Sequence, residues 1–400
     1  MTLNRTGAFV SDRRLVLIVA ALVLALVGTL TIASASPATA DAKLSKKEKA
    51  KKKAKKQRGI TGVMTRNLYL GADLGPAIRA TSFTDFISKN GQILRDVDTN
   101  NFKVRAGTLA NEIKTKSPDL VGLQEVALWR TGAADFAPPA SGVFKAETVH
   151  IDYLAELMAQ LNKGKQRYRV VKVQDEFDFE APADYDNDPS TGAATLGGEI
   201  NGRLTMRDAI IAKVRAGVKV MATDSANFTT IYQPVISGLP VNVDRGWVSA
   251  DVKVRKSPKF RFVNTHLEAF GEPTIREAQA KEMIADGGPL DTGTLPAVLV
   301  GDLNSDDNTV EGDDRLAYNA LKAGGLVDRS TEKPMSCCVE ASILTDDMGA
   351  RSDFGHHIDH IMTNKKNRVK RLNSSVTGLK PVNGYWPSDH AGVFSKLRIR

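Results

Sequence analysis

Short apolar segments that each end in a polar cluster recur through this chain, and they constrain its fold more than any other feature. The clusters are Asn67 after GVMTR, Gln124-Glu125 after DLVGL, Asn264 and His266 after FRFV, Asp302 and Asn304 after AVLVG, Asp359 within HHIDHIM, and Asp389-His390 within SDHAGV. Short apolar runs bounded by turn residues predict buried strands. A lone polar residue past a strand is usually a turn former or a cap. The full set of clusters instead predicts one shared functional site.

Predicted strands outnumber predicted helices. The pattern predicts strands within residues 59–71, 118–127, 168–174, 208–214, 228–235, 246–254, 259–267, 296–305, 356–364 and 391–399. Helical spacing is found in residues 102–117, 150–164, 274–288 and 314–326. Residues 175–203 are acidic and rich in Asp, Pro and Gly, which predicts a loop or an insertion. Many strands with few helices predict two packed sheets with helices outside, in a single domain over residues 59–400.

The N-terminus has the features of a secretory signal. Arg13-Arg14 precede the uncharged run 15–33, and Ala38 and Ala40 form an A-x-A cleavage pattern. We therefore expect residues 1–40 to be a signal peptide and the protein to be secreted. The apolar run is also long enough to span a bilayer, so a retained membrane anchor with the domain outside is the alternative.

A basic segment follows at residues 41–58, and it accounts for the positive charge of the chain. Residues 1–58 hold 13 of the 55 basic and 3 of the 46 acidic side chains, which leaves 42 and 43 for residues 59–400. Such a block predicts a disordered tether. It is either a solvated linker or an anchor to an anionic cell surface, and the near-neutral domain carries no strongly basic footprint for nucleic acid.

The residue types in the clusters suit phosphoryl chemistry. A carboxylate such as that of Glu125, with amide and acid oxygens nearby, is the ligand type that Mg²⁺ prefers. Asp302 and Asn304 stand two apart, so both side chains can point to one side. A histidine beside carboxylates can transfer a proton near neutral pH. Together these groups can stabilise the charge that spreads over a phosphoryl centre under attack.

The order of the motifs TRNLYLGADL, DLVGLQEV, VNTHLEAF, VGDLNS, IDHIMT and PSDHAGV resembles the endonuclease/exonuclease/phosphatase superfamily. The resemblance covers residues 60–400. It implies a deoxyribonuclease-I-like α/β fold, which is a four-layer sandwich of two mixed sheets flanked by helices. It also implies a Mg²⁺-dependent phosphoesterase, with Mn²⁺ or Ca²⁺ as substitutes, that acts as a monomer.

The same resemblance implies a role for each site residue. Glu125 would be the principal metal ligand, with Asn67 beside it and Asp389 near a second metal. His266 and Asn304 would hold phosphate oxygens, and Asp302 would steer the nucleophile or the proton of the leaving group. His390 would be the general base or a transition-state donor, oriented by Asp359.

Several alternatives stay open at this point. The substrate is a nucleic acid or a phospholipid headgroup, and a non-catalytic tethered binding module is the competing function. Arg207 either contacts substrate or forms an ion pair, and Cys337-Cys338 are either two thiols or a local disulfide. Strand alternation would place His357 and His360 on opposite faces, which argues against a zinc site there.

Overall fold

The computed structural model describes residues 59–135, 143–188, 200–214, 217–236, 238–307, 314–331, 335–339, 354–365 and 367–400. These residues belong to one compact unit, Lys52–Arg400. The predicted signal peptide and basic tether lie outside the described residues. Among the described residues, no helix is both long and apolar enough to cross a membrane.

The described chain contains sixteen strands and six helices. The strands are β1 Ile60–Asn67, β2 Leu120–Gln124, β3 Leu128–Ala133, β4 Thr148–Asp152, β5 Tyr168–Ala183, β6 Ile200–Lys213, β7 Val218–Asn227, β8 Val235–Ile236, β9 Leu239–Pro240, β10 Gly246–Val254, β11 Phe260–His266, β12 Ala297–Asp302, β13 Val327–Asp328, β14 Asp359–Thr363, β15 Val369–Thr377 and β16 Gly392–Ile399. The helices are α1 Gly75–Ile78, α2 Phe83–Thr99, α3 Phe102–Lys116, α4 Tyr153–Asn162, α5 Pro273–Ile284 and α6 Leu316–Ala323.

The strands form two mixed sheets. The larger sheet has the order β15-β16-β1-β2-β6-β3-β4, with β5 paired to β6, and the smaller has the order β13-β14-β12-β11-β10-β7. Within them, β1 and β2 run parallel, as do β11 and β12. The inner faces supply one apolar cluster, which includes Val63, Val248, Phe262 and Val300.

Helices cover both outer faces, as the sandwich prediction required. Side chains from α2, α3 and α4 pack with those of the larger sheet in one core cluster. Side chains from α5 and α6 pack with those of the smaller sheet in another. The result is the predicted four-layer α/β sandwich. Helix starts are fixed locally, because Ser82, Asn101 and Asp152 each accept a hydrogen bond from a backbone N–H of the helix that follows.

The two sheets come very close together near β2. A Cβ placed on Gly122 would lie 2.3 Å from Asn264 Oδ1 and 2.4 Å from Val300 Cγ2, both on the opposite sheet. Asn264 Oδ1 also accepts a hydrogen bond from Gln124 Nε2 at 2.5 Å. Only a residue without a side chain allows this spacing.

Two sequence predictions of secondary structure were wrong. Residues 175–203 are not a loop throughout, because β5 continues to Ala183 and β6 begins at Ile200. The acidic residues of β5 find partners: Glu180 accepts hydrogen bonds from two backbone N–H groups and from Asn201. The strand predicted at 228–235 is almost absent, since only the bridge at Tyr232 and the two-residue β8 form there.

Candidate active site

All eight predicted site residues lie at one edge of the sandwich. The strands β1, β2, β11 and β12 end at this edge, while β14 and the segment before β16 begin there because they run antiparallel to β12 and β1. In the smaller sheet, His266, Asp302 and Asp359 stand side by side in register. Strand polarity therefore explains why residues that are far apart in sequence meet.

The larger sheet contributes Asn67 and Glu125. Asn67 ends β1 and donates from Nδ2 to Glu125 Oε1 at 2.9 Å and to Asp302 Oδ2 at 3.1 Å. Glu125 follows β2 in a left-handed conformation, with φ of 51°, which is costly for this residue type and is typical of functional positions. Its Oε2 accepts a hydrogen bond from Leu70 N at 2.7 Å.

The amide of Asn67 has a fixed orientation. Its Oδ1 accepts from Tyr69 N at 2.9 Å, and a backbone N–H can only donate. In this geometry Asn67 positions the carboxylate of Glu125, beside which the sequence placed it.

The smaller sheet contributes His266, Asp302 and Asn304. Asn304 N donates to Asp302 Oδ1 at 2.9 Å, which holds the residue in a left-handed turn with φ of 46°. Asn304 Nδ2 lies 3.1 Å from His266 Nε2, and His266 Nε2 lies 3.6 Å from Asp302 Oδ2. These three side chains form one wall of the site.

Arg245 fixes the protonation of His266. Its Nη1 lies 3.0 Å from His266 Nδ1, and a guanidinium can only donate, so Nδ1 is the acceptor. Burial and the Arg245 charge lower the pKa of His266 well below its usual value. His266 is therefore neutral, and its Nε2 faces the site.

His390 and Asp359 form a buried pair across the two sheets. His390 Nδ1 lies 2.9 Å from Asp359 Oδ2, and His390 Nε2 lies 3.5 Å from Asp302 Oδ2. Burial alone would lower the pKa of His390, but the surrounding carboxylates, with Asp359 first among them, raise it well above its usual value. The structure without a cation therefore holds His390 as an imidazolium.

Asp389 faces the same pocket as Glu125. The pocket has a volume of ≈ 290 Å³, and its lining includes Tyr69, Glu125, Arg245, His266, Phe270 and Asp389. Burial, followed by the charge of Asp389, raises the pKa of Glu125. Burial also raises the pKa of Asp389 and of Asp302, the latter to about 6. Several buried carboxylates thus share one small space.

This donor set fits a divalent cation. Glu125 and Asp389 present carboxylate oxygens to one pocket, and hard cations such as Mg²⁺ prefer such ligands. Burial raises the pKa of both carboxyls, and the charge of Asp389 raises that of Glu125 further. A cation bound to these two residues would relieve that repulsion.

Several residues that position the site were not found from the sequence. The fully buried Arg66 pairs with Glu112 and donates to the backbone oxygen of His390. Arg105 donates to the backbone oxygens of Leu68 and Pro387 at 2.8 and 3.1 Å. The sequence offered one signal for these two arginines. Each is a charged residue within an otherwise buried strand or helix, and a buried charge requires a partner.

Two open alternatives are settled by the structure. Arg207 is buried and donates to Asp152 Oδ1 at 2.6 Å and to Val126 O at 2.9 Å, so it has a structural role. Cys337 and Cys338 form a disulfide, and Cys337 Sγ lies 3.6 Å from His390 Nε2.

Solved structures with a similar chain trace share little sequence with this protein. A Bacteroides thetaiotaomicron endonuclease/exonuclease/phosphatase family protein is 16% identical, covers 85% of this chain and 98% of its own, and has a TM-score of 0.47. The mannosyl-6-phosphatase of the same species is 16% identical over 84% and 99%, with a TM-score of 0.45. D. rerio TDP2 with a single-strand DNA product is 15% identical over 84% and 98%, with a TM-score of 0.46.

A search of curated protein sequences found no match. The family model described as Endonuclease/Exonuclease/phosphatase family matches residues 98–390, well over half of the chain. The matched range contains seven of the eight site residues, from Glu125 to His390, and leaves out only Asn67. With the sandwich, the edge site and this match together, the chain belongs to the endonuclease/exonuclease/phosphatase family of phosphoesterases.

Proposed function

We propose that this protein is a secreted, Mg²⁺-dependent phosphoesterase that hydrolyses phosphodiester or phosphomonoester bonds by general-base attack of water. The observation that carries the proposal is the buried pair His390 and Asp359 beside Asp302. The neighbouring residue Asp389 shares a pocket with the carboxylate of Glu125. Secretion rests on the signal features of residues 1–40.

Each side chain of the site has a separate role in the proposed reaction. Neutral His266 and the side chain of Asn304 lie side by side and hold non-bridging phosphate oxygens. Asp359 holds Nδ1 of His390, so that Nε2 faces the reacting centre and Asp302. His390 takes a proton from the attacking water at Nε2, for which it must first be neutral.

A divalent cation held by Glu125 and Asp389 would supply positive charge next to the phosphoryl oxygens. That charge would also lower the pKa of His390, because a nearby cation disfavours the imidazolium. A cation at this position would therefore favour the neutral imidazole that a general base requires.

The decisive experiment measures hydrolysis by the purified full chain on DNA, RNA, sphingomyelin, phosphoinositides and a bis-aryl phosphate, with Mg²⁺ and with chelator. We expect turnover of at least one of these esters with Mg²⁺ and none with chelator. Metal-independent turnover, or no turnover of any phosphate ester by folded protein, would contradict the proposal.

Two variants test the assigned roles on whichever ester is turned over. Glu125→Gln keeps the size of the side chain but removes its charge, so we expect kcat to fall about 100-fold or more at saturating Mg²⁺. His390→Ala should lower kcat by about 10²–10⁴-fold. The matched control is Glu147→Gln at an exposed position, which should leave kcat unchanged.

A further inference from the structure

A second group of metal-binding side chains lies on the other face of β14. Asp359 points into the catalytic site, and His360, the next residue, points to the opposite side beneath the Tyr318 ring of α6, with ring centroids 4.9 Å apart. Around His360 lie Asp307, Asp328 and His357, which together with it are called the Asp328 cluster. No residue of this cluster belongs to the eight site residues.

Two imidazoles and two carboxylates converge in the cluster. One ligand atom from each of Asp328, His357 and His360 lies within 4.8 Å of the other two. Asp307 Oδ2 lies 3.0 Å from His357 Nδ1. The expectation from strand alternation was wrong for His357 and His360, because β14 begins only at Asp359. His357 therefore turns back, and the two rings lie 4.5 Å apart.

His360 has the arrangement expected of a metal-bound histidine. Its Nε2 lies 3.2 Å from the backbone oxygen of Ser305, which can only accept, so the proton is on Nε2. Its Nδ1 lies 2.9 Å from Asp328 Oδ2. A backbone carbonyl that fixes one ring nitrogen is a usual support for a histidine ligand. The other nitrogen, Nδ1, forms an ion pair with Asp328, and both partners would turn to a cation placed between them.

His357 supplies the independent observation. The residue is 1 % exposed, yet among the described residues its Nε2 has no hydrogen-bond partner. Its Nδ1 is in ion-pair contact with Asp307 Oδ2. Buried polar groups in native proteins are nearly always satisfied, so an unsatisfied imidazole beside two carboxylates and a second imidazole indicates an absent cation.

We propose that Asp307, Asp328, His357 and His360 bind one Zn²⁺ ion at a site separate from the catalytic pocket. Two imidazoles and two carboxylates suit Zn²⁺ better than Mg²⁺, which prefers oxygen ligands alone. Tetrahedral bonds of about 2.0–2.2 Å place ligand atoms about 3.3 Å apart. The ligand atoms of Asp328, His357 and His360 already lie within 4.8 Å of one another, and Asp307 would reach the ion from its contact with His357. Two carboxylates also neutralise a divalent ion.

Four protein ligands leave no open position, which is typical of a structural zinc site. The ion would join the segment after β12, the short strand β13 and the start of β14. Those elements carry Asp302, Asn304 and Asp359 on the opposite side. The zinc would therefore stabilise the smaller sheet's half of the catalytic site without contacting substrate.

The test measures bound metal in the untagged full chain after exposure to Zn²⁺ and removal of excess ion. We expect about one equivalent of zinc by elemental mass spectrometry in the wild type and in the matched control His150→Gln. The double variant His357→Gln/His360→Gln should hold less than about a tenth of an equivalent. Glu125→Gln should still hold one equivalent, which separates this site from the catalytic one.

A second measurement on the wild type does not depend on the variant folding. X-ray absorption at the zinc edge is recorded on the zinc-loaded wild type. We expect a four-coordinate spectrum with imidazole nitrogen and carboxylate oxygen ligands and no sulfur ligand. The proposal is overturned if folded wild-type protein binds no zinc, if zinc survives in the double variant, or if the spectrum shows sulfur ligation or no imidazole.

Discussion

At the scale of single residues, the charge of His390 depends on the carboxylates around it. Burial would lower its pKa, and the net rise comes from Asp359, Asp302 and Asp389, with Asp359 the largest contributor. A general base works only after losing its proton, so activity should rise with pH as His390 becomes neutral. A raised pKa places this acidic limb at a higher pH than an isolated histidine would give.

Asp359→Asn tests this dependence. Removal of the largest opposing charge lowers the pKa of His390, so the acidic limb of kcat/KM should move to lower pH. The plateau should also fall about 10–100-fold, because the amide orients the ring less well. The measurement is the pH profile of kcat/KM in both proteins at saturating Mg²⁺. A limb that stays in place, or that moves to higher pH, would argue against His390 as the base.

Sequence reasoning at this scale reached the residues at strand ends and missed those that hold them. Glu125, Asp302 and His390 follow or precede apolar runs. Because those runs predict strands, the sequence identifies the three residues as lying at strand ends. Arg245 stands before β10 with nothing in its local sequence to distinguish it from a surface residue. Its contact with His266 depends on how β10 and β11 pair, which no local pattern encodes.

At the scale of elements, α2 packs against the end of β5 at a position where only glycine fits. A Cβ on Gly91 would lie 1.8 Å from Asp184 O and 2.4 Å from Asp184 C. Both are backbone atoms and cannot rotate away. The helix lies against this backbone without an intervening side chain, and Asp184 N donates to Ile87 O at 3.2 Å.

Gly91→Ala should therefore lower the free energy of unfolding by about 2–3 kcal/mol through overpacking. The matched control is Gly107→Ala in the middle of α3, where an added Cβ has no neighbour within 4 Å. That change should raise the free energy of unfolding by about 0.5–1 kcal/mol, since alanine favours the helix. Urea denaturation of both variants gives the comparison, and equal effects of the two substitutions would refute the packing argument.

Elements were predictable where one face is continuously buried. The runs of β10, β11, β12 and β16 are almost wholly buried and were predicted nearly to their ends. The edge strands β7 and β15 are mostly exposed or half-buried. Because these strands have no apolar face, their sequences lack the apolar and polar alternation that predicts a strand. Neither strand was predicted.

At the scale of the whole molecule, the catalytic site draws on elements from β1 to β16. The contacts given above for the eight site residues lie within the Lys52–Arg400 unit. The basic segment 41–58 was predicted from composition as a tether. Both roles predicted for it, a solvated linker or an anchor to an anionic surface, lie outside catalysis.

Deletion of residues 41–58 should leave kcat and KM on a small soluble phosphodiester unchanged within about twofold. The same deletion should weaken binding to vesicles that contain anionic lipid, since each basic residue near such a surface contributes about 1 kcal/mol. Turnover and vesicle sedimentation are measured on both proteins. A large loss of turnover would show that the segment takes part in the site.

The close approach of the sheets at Gly122 has a consequence for the order in which activity and secondary structure are lost. Asn67, Glu125 and His390 are carried by one sheet, and His266, Asp302 and Asp359 by the other, so the reacting groups face each other across the same gap that Gly122 keeps narrow. The rate of hydrolysis therefore reports on the spacing between the two sheets. Under rising hydrostatic pressure or mild urea, turnover should fade while circular dichroism still reports intact strands, because a slight parting of the layers separates His390 from its partners long before either layer melts.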